Sequence, residues 1–335
     1  MIAAALQFFA TPFARDHNLE TAERLIRQAA GQGAQIVVLP ELFNTGYIYS
    51  PKLFAAAEAE AGPTTIWLSG LSRELGALIG GTILRREGGR LFNTFVLAAP
   101  DGALHHYRKQ NLFLWERCYF EPGRAPLIVE TPLGRLGLMI CWDIARPAIW
   151  ESYRGQMDAL LLASAPPRLH RAVLNFPLGK KVYLAELLPA LLREREALDE
   201  VYGADLGQRA AWLGAPIVSS VMAGRFVAQV PLPRLSFLLA SLVKPRFWSW
   251  IPKSPLASLR ATFFGSSAIY DPARGALARA EGDEGLALAE LNPSTTPRDG
   301  PLPQPPSLAL FDLLLRPFAS AYYRDNLRST FSIQQ

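Results

Sequence analysis

Short, wholly apolar runs that each stop at one chemically active side chain narrow the fold of this chain more than any other feature. Ile36-Val-Val-Leu39 runs into Pro40-Glu41, and Leu136-Gly-Leu-Met-Ile140 runs into Cys141. An apolar run without polar alternation suits a strand buried on both faces. Between such runs the spacing changes. Leu19, Ala22, Leu25, Ile26 and Ala29 fall at helical intervals, and Gly31 and Gly33 close that helix. The same reading predicts strands over Ala3–Phe8, Leu78–Leu84, Leu91–Leu97, Ala103–Arg108, Ala159–Leu162, Pro216–Val221, Ser266–Tyr270 and Gly285–Leu291. Helices are expected over Thr64–Leu75, Ala148–Arg154 and Leu184–Val201, the last long and amphipathic. Pro293 to Pro306 reads as a linker or extended arm, followed by a terminal helix over Leu308–Tyr323. Strand and helix alternate from end to end, which requires an α/β layered fold.

Composition removes several classes of function. At 335 residues the chain has room for one large α/β domain or about two smaller ones. Two cysteines, Cys118 and Cys141, cannot staple a secreted scaffold or build a Cys₄ zinc site. The four histidines are scattered; His105 and His106 sit side by side on a predicted strand and so face opposite ways. Gly31 and Gly33 precede a strand and are not a dinucleotide fingerprint. Met1 to Ala10 lacks a basic leader and reads as a strand, and no run reaches the roughly 18 apolar residues of a membrane span. Reduced thiols make the cytoplasm the expected compartment.

Strand ends in α/β sheets are where ligand sites gather. Here they carry a carboxylate (Glu41), an amine (Lys109, after Leu104 to Tyr107) and a thiol (Cys141). A base, a cation and a nucleophile so placed could form an acyl-transfer site. Cys118 has no acid–base neighbour of its own and reads as structural.

Three segments then match one family. Pro40-Glu41-Leu-Phe-Asn-Thr-Gly-Tyr47, Tyr107-Arg-Lys109-Gln-Asn-Leu-Phe113 and Gly137-Leu-Met-Ile-Cys141-Trp-Asp143 resemble, in order, motifs of the nitrilase superfamily of carbon–nitrogen hydrolases. The likeness continues through Asn93-Thr94, Gly155-Gln-Met-Asp-Ala159, Gly214-Ala-Pro-Ile-Val218 and Gly265-Ser-Ser267, over roughly residues 1 to 292. The resemblance implies an αββα four-layer sandwich, a homodimer or higher homo-oligomer, and no metal or organic cofactor. It makes Cys141 the nucleophile, Glu41 the general base, and Lys109 with the Trp142 backbone N–H the oxyanion donors. Glu116, in Glu116-Arg-Cys-Tyr119-Phe-Glu-Pro122-Gly123, resembles a second active-site glutamate that orients Lys109; a surface ion pair with Arg117 is the plain alternative. Tyr47 is a candidate substrate contact. Where the family has an aromatic-Pro-Glu sequence, this chain has Arg146-Pro147-Ala148. Arg146 could hold an anionic substrate group or pair with Asp143. Cys-Trp-Asp, where true nitrilases carry Cys-Trp-Glu, favours an amide or carbamoyl substrate. Nitrile hydrolysis and acyl transfer to an amine by the same three residues are the alternatives. A catalytically silent scaffold or membrane-surface binding protein is the non-enzyme one.

The net charge of +5 has one source. Leu206 to Tyr270 contains seven basic residues and no acid, so the rest of the chain sums to −2. The basic residues are interleaved with Leu235-Ser-Phe-Leu-Leu-Ala-Ser-Leu-Val243 and Phe247-Trp-Ser-Trp250-Ile. Residues 225–262 therefore read as a basic apolar insertion in a domain spanning 1–292, with 293–335 as a C-terminal arm. The plainest role is a subunit contact. Leu, Phe and Trp among cations also suit the surface of an anionic membrane, or a mouth that receives an acyl chain. Nucleic acid fits such an apolar stretch poorly.

Overall fold

The computed structural model describes residues 1–187, 200–292, 296–303 and 309–332. Most of the apolar runs become the strands expected of them. The first sheet contains β1 (Ile2–Gln7), β2 (Ile36–Val38), β3 (Leu78–Glu87), β4 (Arg90–Ala98) and β5 (Leu104–Arg108). The last strand, β16 (Gly285–Glu290), pairs antiparallel with β1, Ile2 facing Glu290, so the order is β16-β1-β2-β3-β4-β5. The second sheet has the order β15-β14-β11-β8-β7-β6. Its strands are β6 (Leu127–Thr131), β7 (Gly134–Ile140), β8 (Ala159–Ser164), β11 (Ile217–Val221), β14 (Ala268–Asp271) and β15 (Gly275–Arg279). β1–β2–β3 and β7–β8–β11 are the parallel centres of the two sheets.

Side-chain alternation divides β1 and β2 between two cores. Ala3, Ala5, Ile36 and Val38 join β7, β8 and β11 in the core between the sheets. Ala4, Leu6 and Val37 pack instead with Ala22, Leu25 and Ile26 of the helix Arg15–Gly31. The helix Pro63–Leu75 shares that layer, and Pro147–Tyr153 and Ala204–Leu213 pack with the second sheet. This is the four-layer αββα sandwich. Burying each Val, Leu or Ile in it contributes about 1.5–3 kcal/mol.

A smaller antiparallel sheet, of order β10-β9-β13-β12, was not expected. It consists of β9 (Val173–Asn175), β10 (Lys181–Tyr183), β12 (Arg225–Gln229) and β13 (Ser258–Thr262). The basic apolar segment thus folds as two strands around a helix, Pro233–Val243, and a 3₁₀ stretch, Pro245–Leu256. Of the predicted helix Leu184–Val201, Leu184–Leu187 is helical and 188–199 lies outside the described residues. The described part of the predicted arm, 296–303, has neither helix nor strand. The terminal helix runs from Ala309 to Ser332 and packs on the domain, with Leu315, Ala319 and Tyr323 buried. Asp312 pairs with Arg117 at 3.0 Å, and the Leu91 N–H donates to the Tyr323 hydroxyl at 3.0 Å.

Candidate active site

Glu41 follows β2, Lys109 follows β5 and Cys141 follows β7, so the ends of two facing sheets deliver a carboxylate, an ammonium and a thiol to one place. Glu116 comes from the 3₁₀ turn Leu114–Cys118. Glu41, Lys109 and Glu116 have no solvent exposure. Lys109 Nζ lies 2.7 Å from Glu41 Oε1 and 2.7 Å from Glu116 Oε1. Glu41 also accepts from Asn93 Nδ2 at 2.7 Å and, through Oε2, from the Ala165 N–H at 2.8 Å. Glu116 accepts from the Tyr47 hydroxyl at 2.9 Å and from the Phe113 N–H at 2.7 Å. Glu116 is thus tied to Lys109, and the surface pair with Arg117 does not form; Arg117 pairs with Asp312.

The backbone is bent where these residues sit. Leu42, Leu114 and Cys141 all have left-handed φ, at 50°, 44° and 44°. Such values cost a non-glycine residue of the order of 1–3 kcal/mol and persist only where the surroundings enforce them. Asp143 is one enforcer at Cys141. Its buried carboxylate accepts from the Ile140 N–H at 3.1 Å, from the Gln110 and Asn111 N–H groups at 3.0 and 2.7 Å, and from the Tyr107 hydroxyl at 2.7 Å. It therefore joins the turn at Cys141 to the loop that follows Lys109. Burial pushes its pKa up to about 6. Gly46 makes the matching turn before Tyr47: φ is +74°, and a β-carbon there would lie 2.7 Å from the Ala10 carbonyl oxygen.

Cys141 opens onto a small cavity of about 30 Å³, lined chiefly by Tyr47, Phe113, Trp142, Pro166, Tyr202 and Phe264. None of residues 225–262 lines it; Phe226 and Phe263 pack behind Tyr47, with ring centres 6.1 and 6.2 Å away. The expectation that this segment borders the mouth and receives an acyl chain therefore finds no counterpart at this cavity. Arg146 is exposed at the start of the helix Pro147–Tyr153 and is not part of the lining. Trp142 is held by Phe113, whose ring centre is 4.7 Å away.

Burial disfavours the Lys109 ammonium, yet Glu116, Glu41 and Cys141 hold its pKa well above the ordinary value, so it stays charged. Burial raises the Glu116 carboxyl despite Lys109 beside it. Burial, with Glu41 and Glu116, also pushes the Cys141 thiol well up, against Lys109 and Tyr202. The resting thiol is therefore neutral and needs a base in the step that uses it.

Tyr202 is the residue that sequence reasoning missed. Its hydroxyl lies 3.2 Å from Cys141 Sγ. It stands one position beyond the predicted helix Leu184–Val201 and 61 residues from Cys141, so no local pattern could connect the two. Burial, and then Cys141, hold its own pKa well above normal, so it keeps its proton and can donate to a thiolate. Tyr202→Phe should move the pH profile of Cys141 alkylation by iodoacetamide to higher pH and slow it about tenfold at neutral pH. An unmoved profile would separate Tyr202 from the thiol. Asn93 was visible only as part of the family likeness; its hydrogen bond to Glu41 gives it a positioning role.

Comparison with known proteins bears on the family and the fold. The carbon-nitrogen hydrolase family model matches residues 2–298. A nitrilase of Pyrococcus abyssi is 39% identical over 166 residues, 48% of this chain and 61% of that protein, so the match spans under two thirds of its length. An omega-amidase of Xenopus tropicalis is 34% identical over 205 residues, 55% of this chain and 73% of that one. Among solved structures, a CN-hydrolase superfamily protein of Xanthomonas campestris aligns over 95% of this chain and 94% of its own, with a TM-score of 0.61 at 20% identity. An amidase from Nesterenkonia sp. gives a TM-score of 0.64 at 21% identity, over 90% and 93%. With the family model covering nearly the whole of a four-layer sandwich of this kind, the chain belongs to the carbon–nitrogen hydrolase family, whose members cleave C–N bonds other than peptide bonds.

Proposed function

We propose that the protein hydrolyses small neutral amides, or short carbamoyl compounds, through a thioester on Cys141. The observation that carries this reading is the buried Glu41–Lys109–Glu116 cluster at the strand ends where Cys141 opens onto a cavity. In the first half-reaction Glu41 takes the thiol proton as sulfur attacks the carbonyl carbon. The oxygen that gains charge is met by the Lys109 ammonium and the Trp142 backbone N–H. Glu41 then returns the proton to nitrogen, the C–N bond breaks, and ammonia leaves. In the second half, Glu41 deprotonates water, which attacks the thioester and releases acid and thiol. Glu116, held by Tyr47 and Phe113, keeps Lys109 in place. The amide and water are thereby converted to acid and ammonia.

Cys-Trp-Asp and the omega-amidase relative support an amide in preference to a nitrile; the likeness to the Pyrococcus nitrilase keeps nitriles as the second reading. Homo-oligomeric assembly follows from the family resemblance. Two unpaired, buried cysteines suit a reducing compartment such as the cytoplasm. The test is ammonia release over primary amides of rising chain length, with a short carbamoyl compound and a short nitrile in the same series. The cavity at Cys141 is small and walled by Tyr47, Phe113, Trp142 and Phe264, so the rate should fall as the chain lengthens. A rate that climbs with chain length, or turnover of the nitrile alone, would overturn the reading.

A further inference from the structure

The small sheet presents a surface that the chemistry at Cys141 does not use. At its tip, between β9 and β10, Leu178 is 98% exposed at φ +62°, a conformation natural to glycine. Lys180 and Lys181 follow Gly179 and are exposed. Behind the tip, Phe176 packs on Trp250 with ring centres 4.8 Å apart. Lys180 and Lys253 bracket the Trp250 ring, with Nζ atoms 5.9 and 6.0 Å from its centre. In the segment that carries Trp250, Leu242 is 61% and Trp248 56% exposed, and the indole N–H of Trp248 donates to the Ser241 carbonyl at 3.1 Å. Leu238, one helical turn before Leu242, is exposed as well. The two stretches that build this unit, 173–187 and 225–262, carry eight basic residues and one acid. That acid, Glu186, is paired with Arg246 at 2.7 Å.

We propose that the face formed by Leu178, Lys180, Leu242, Trp248 and Lys253 docks the protein onto an anionic lipid bilayer. Exposed Leu side chains would enter the acyl boundary, Trp would sit at headgroup level, and the lysine ammonium groups would meet lipid phosphates. Long lysine stems can lie along the apolar surface while their heads reach the charge. A protein partner is less well matched, because lysine is depleted at protein–protein interfaces and here it surrounds the apolar residues. No helix among the described residues is long and apolar enough to cross a membrane, so the contact is peripheral. The attraction is partly electrostatic and is screened by salt.

The experiment is co-sedimentation of the full chain with vesicles of phosphatidylcholine alone, or of equal parts phosphatidylcholine and phosphatidylglycerol. Binding to the anionic vesicles should exceed binding to the neutral ones by about tenfold, and weaken as salt rises. The double variant Leu178→Glu/Trp248→Glu and the double variant Lys180→Glu/Lys253→Glu should each lose about tenfold of that binding. Amide hydrolysis without vesicles should be unchanged in both, which shows that they are folded. Three results would overturn the proposal. One is wild-type protein left in the supernatant with anionic vesicles. Another is pelleting of both variants as wild type. The third is a smaller mass in sedimentation velocity for either variant, which would make this face a contact between copies of the chain.

Discussion

Cys141→Ala should lower amide turnover by a factor on the order of 10⁴ or more, because the thioester route loses its nucleophile and the remaining groups can only polarise the carbonyl. The fold should survive. Removing Sγ from a side chain only 4% exposed forfeits little volume and one hydrogen bond to Tyr202, a cost of about 1 kcal/mol. Cys141→Ser tests the same point without deleting that hydrogen bond. A serine hydroxyl at this site is a far weaker nucleophile than a thiol, so Cys141→Ser should be nearly as slow. Mass spectrometry of the wild type during turnover should find an acylated Cys141 that is absent from both variants. Full turnover by Cys141→Ala would end the thioester mechanism.

Lys109→Met should damage both stability and rate. It leaves Glu41 and Glu116 without the ammonium that lies 2.7 Å from each. Breaking a buried ion pair from one side costs about 3–5 kcal/mol, because the surviving charge stays buried. Loss of an oxyanion donor costs a further 10²–10³ in rate, roughly. The pH dependence has a definite sign. Burial already raises Glu116 in the wild type, against the pull of Lys109. Without that pull its carboxyl rises further, so the folded variant binds a proton that the unfolded chain releases. That stability is fully present below the ordinary carboxylate pKa and is lost as pH rises through the raised one. The melting temperature of Lys109→Met should therefore fall more steeply than that of the wild type between acid and neutral pH. Lys109→Met/Glu116→Gln should recover part of the stability and none of the activity, a coupling that a double-mutant cycle measures. A melting curve and rate equal to wild type would show that the cluster is neither structural nor catalytic.

Glu41, Lys109 and Cys141 were legible because each ends a strand run, and a polar residue at such a place must either be solvated or be used. Glu116 was legible only through the family likeness; nothing in Leu-Trp-Glu-Arg-Cys distinguishes a buried carboxylate from a surface one. Tyr202 was out of reach, since its meeting with Cys141 depends on how the chain returns after β8. The small sheet was hidden for another reason. β9 and β10 have three residues each, and β12 alternates exposed Arg225, Val227 and Gln229 with buried Phe226 and Ala228. So short or mixed a pattern is settled by its tertiary neighbours more than by its own residues. The basic charge of 225–262 was plain from the sequence. That it flanks a leucine held outward at a hairpin tip was not.

The first and last strands of the sandwich are neighbours, and this bears on when the protein becomes chemically active. β1 finds its antiparallel partner in β16, which lies 278 positions on from Gln7 to Gly285 and 288 from Ile2 to Glu290, so a nascent chain still short of Gly285 leaves that edge of the first sheet open. Closing a loop of such length is slow relative to local contacts. Until it closes, β1 and β2 are poorly braced, and the Glu41 that β2 carries has no fixed distance to Lys109. The carboxylate of Glu41 and the ammonium of Lys109 are therefore brought into register only once the two ends of the sandwich have met.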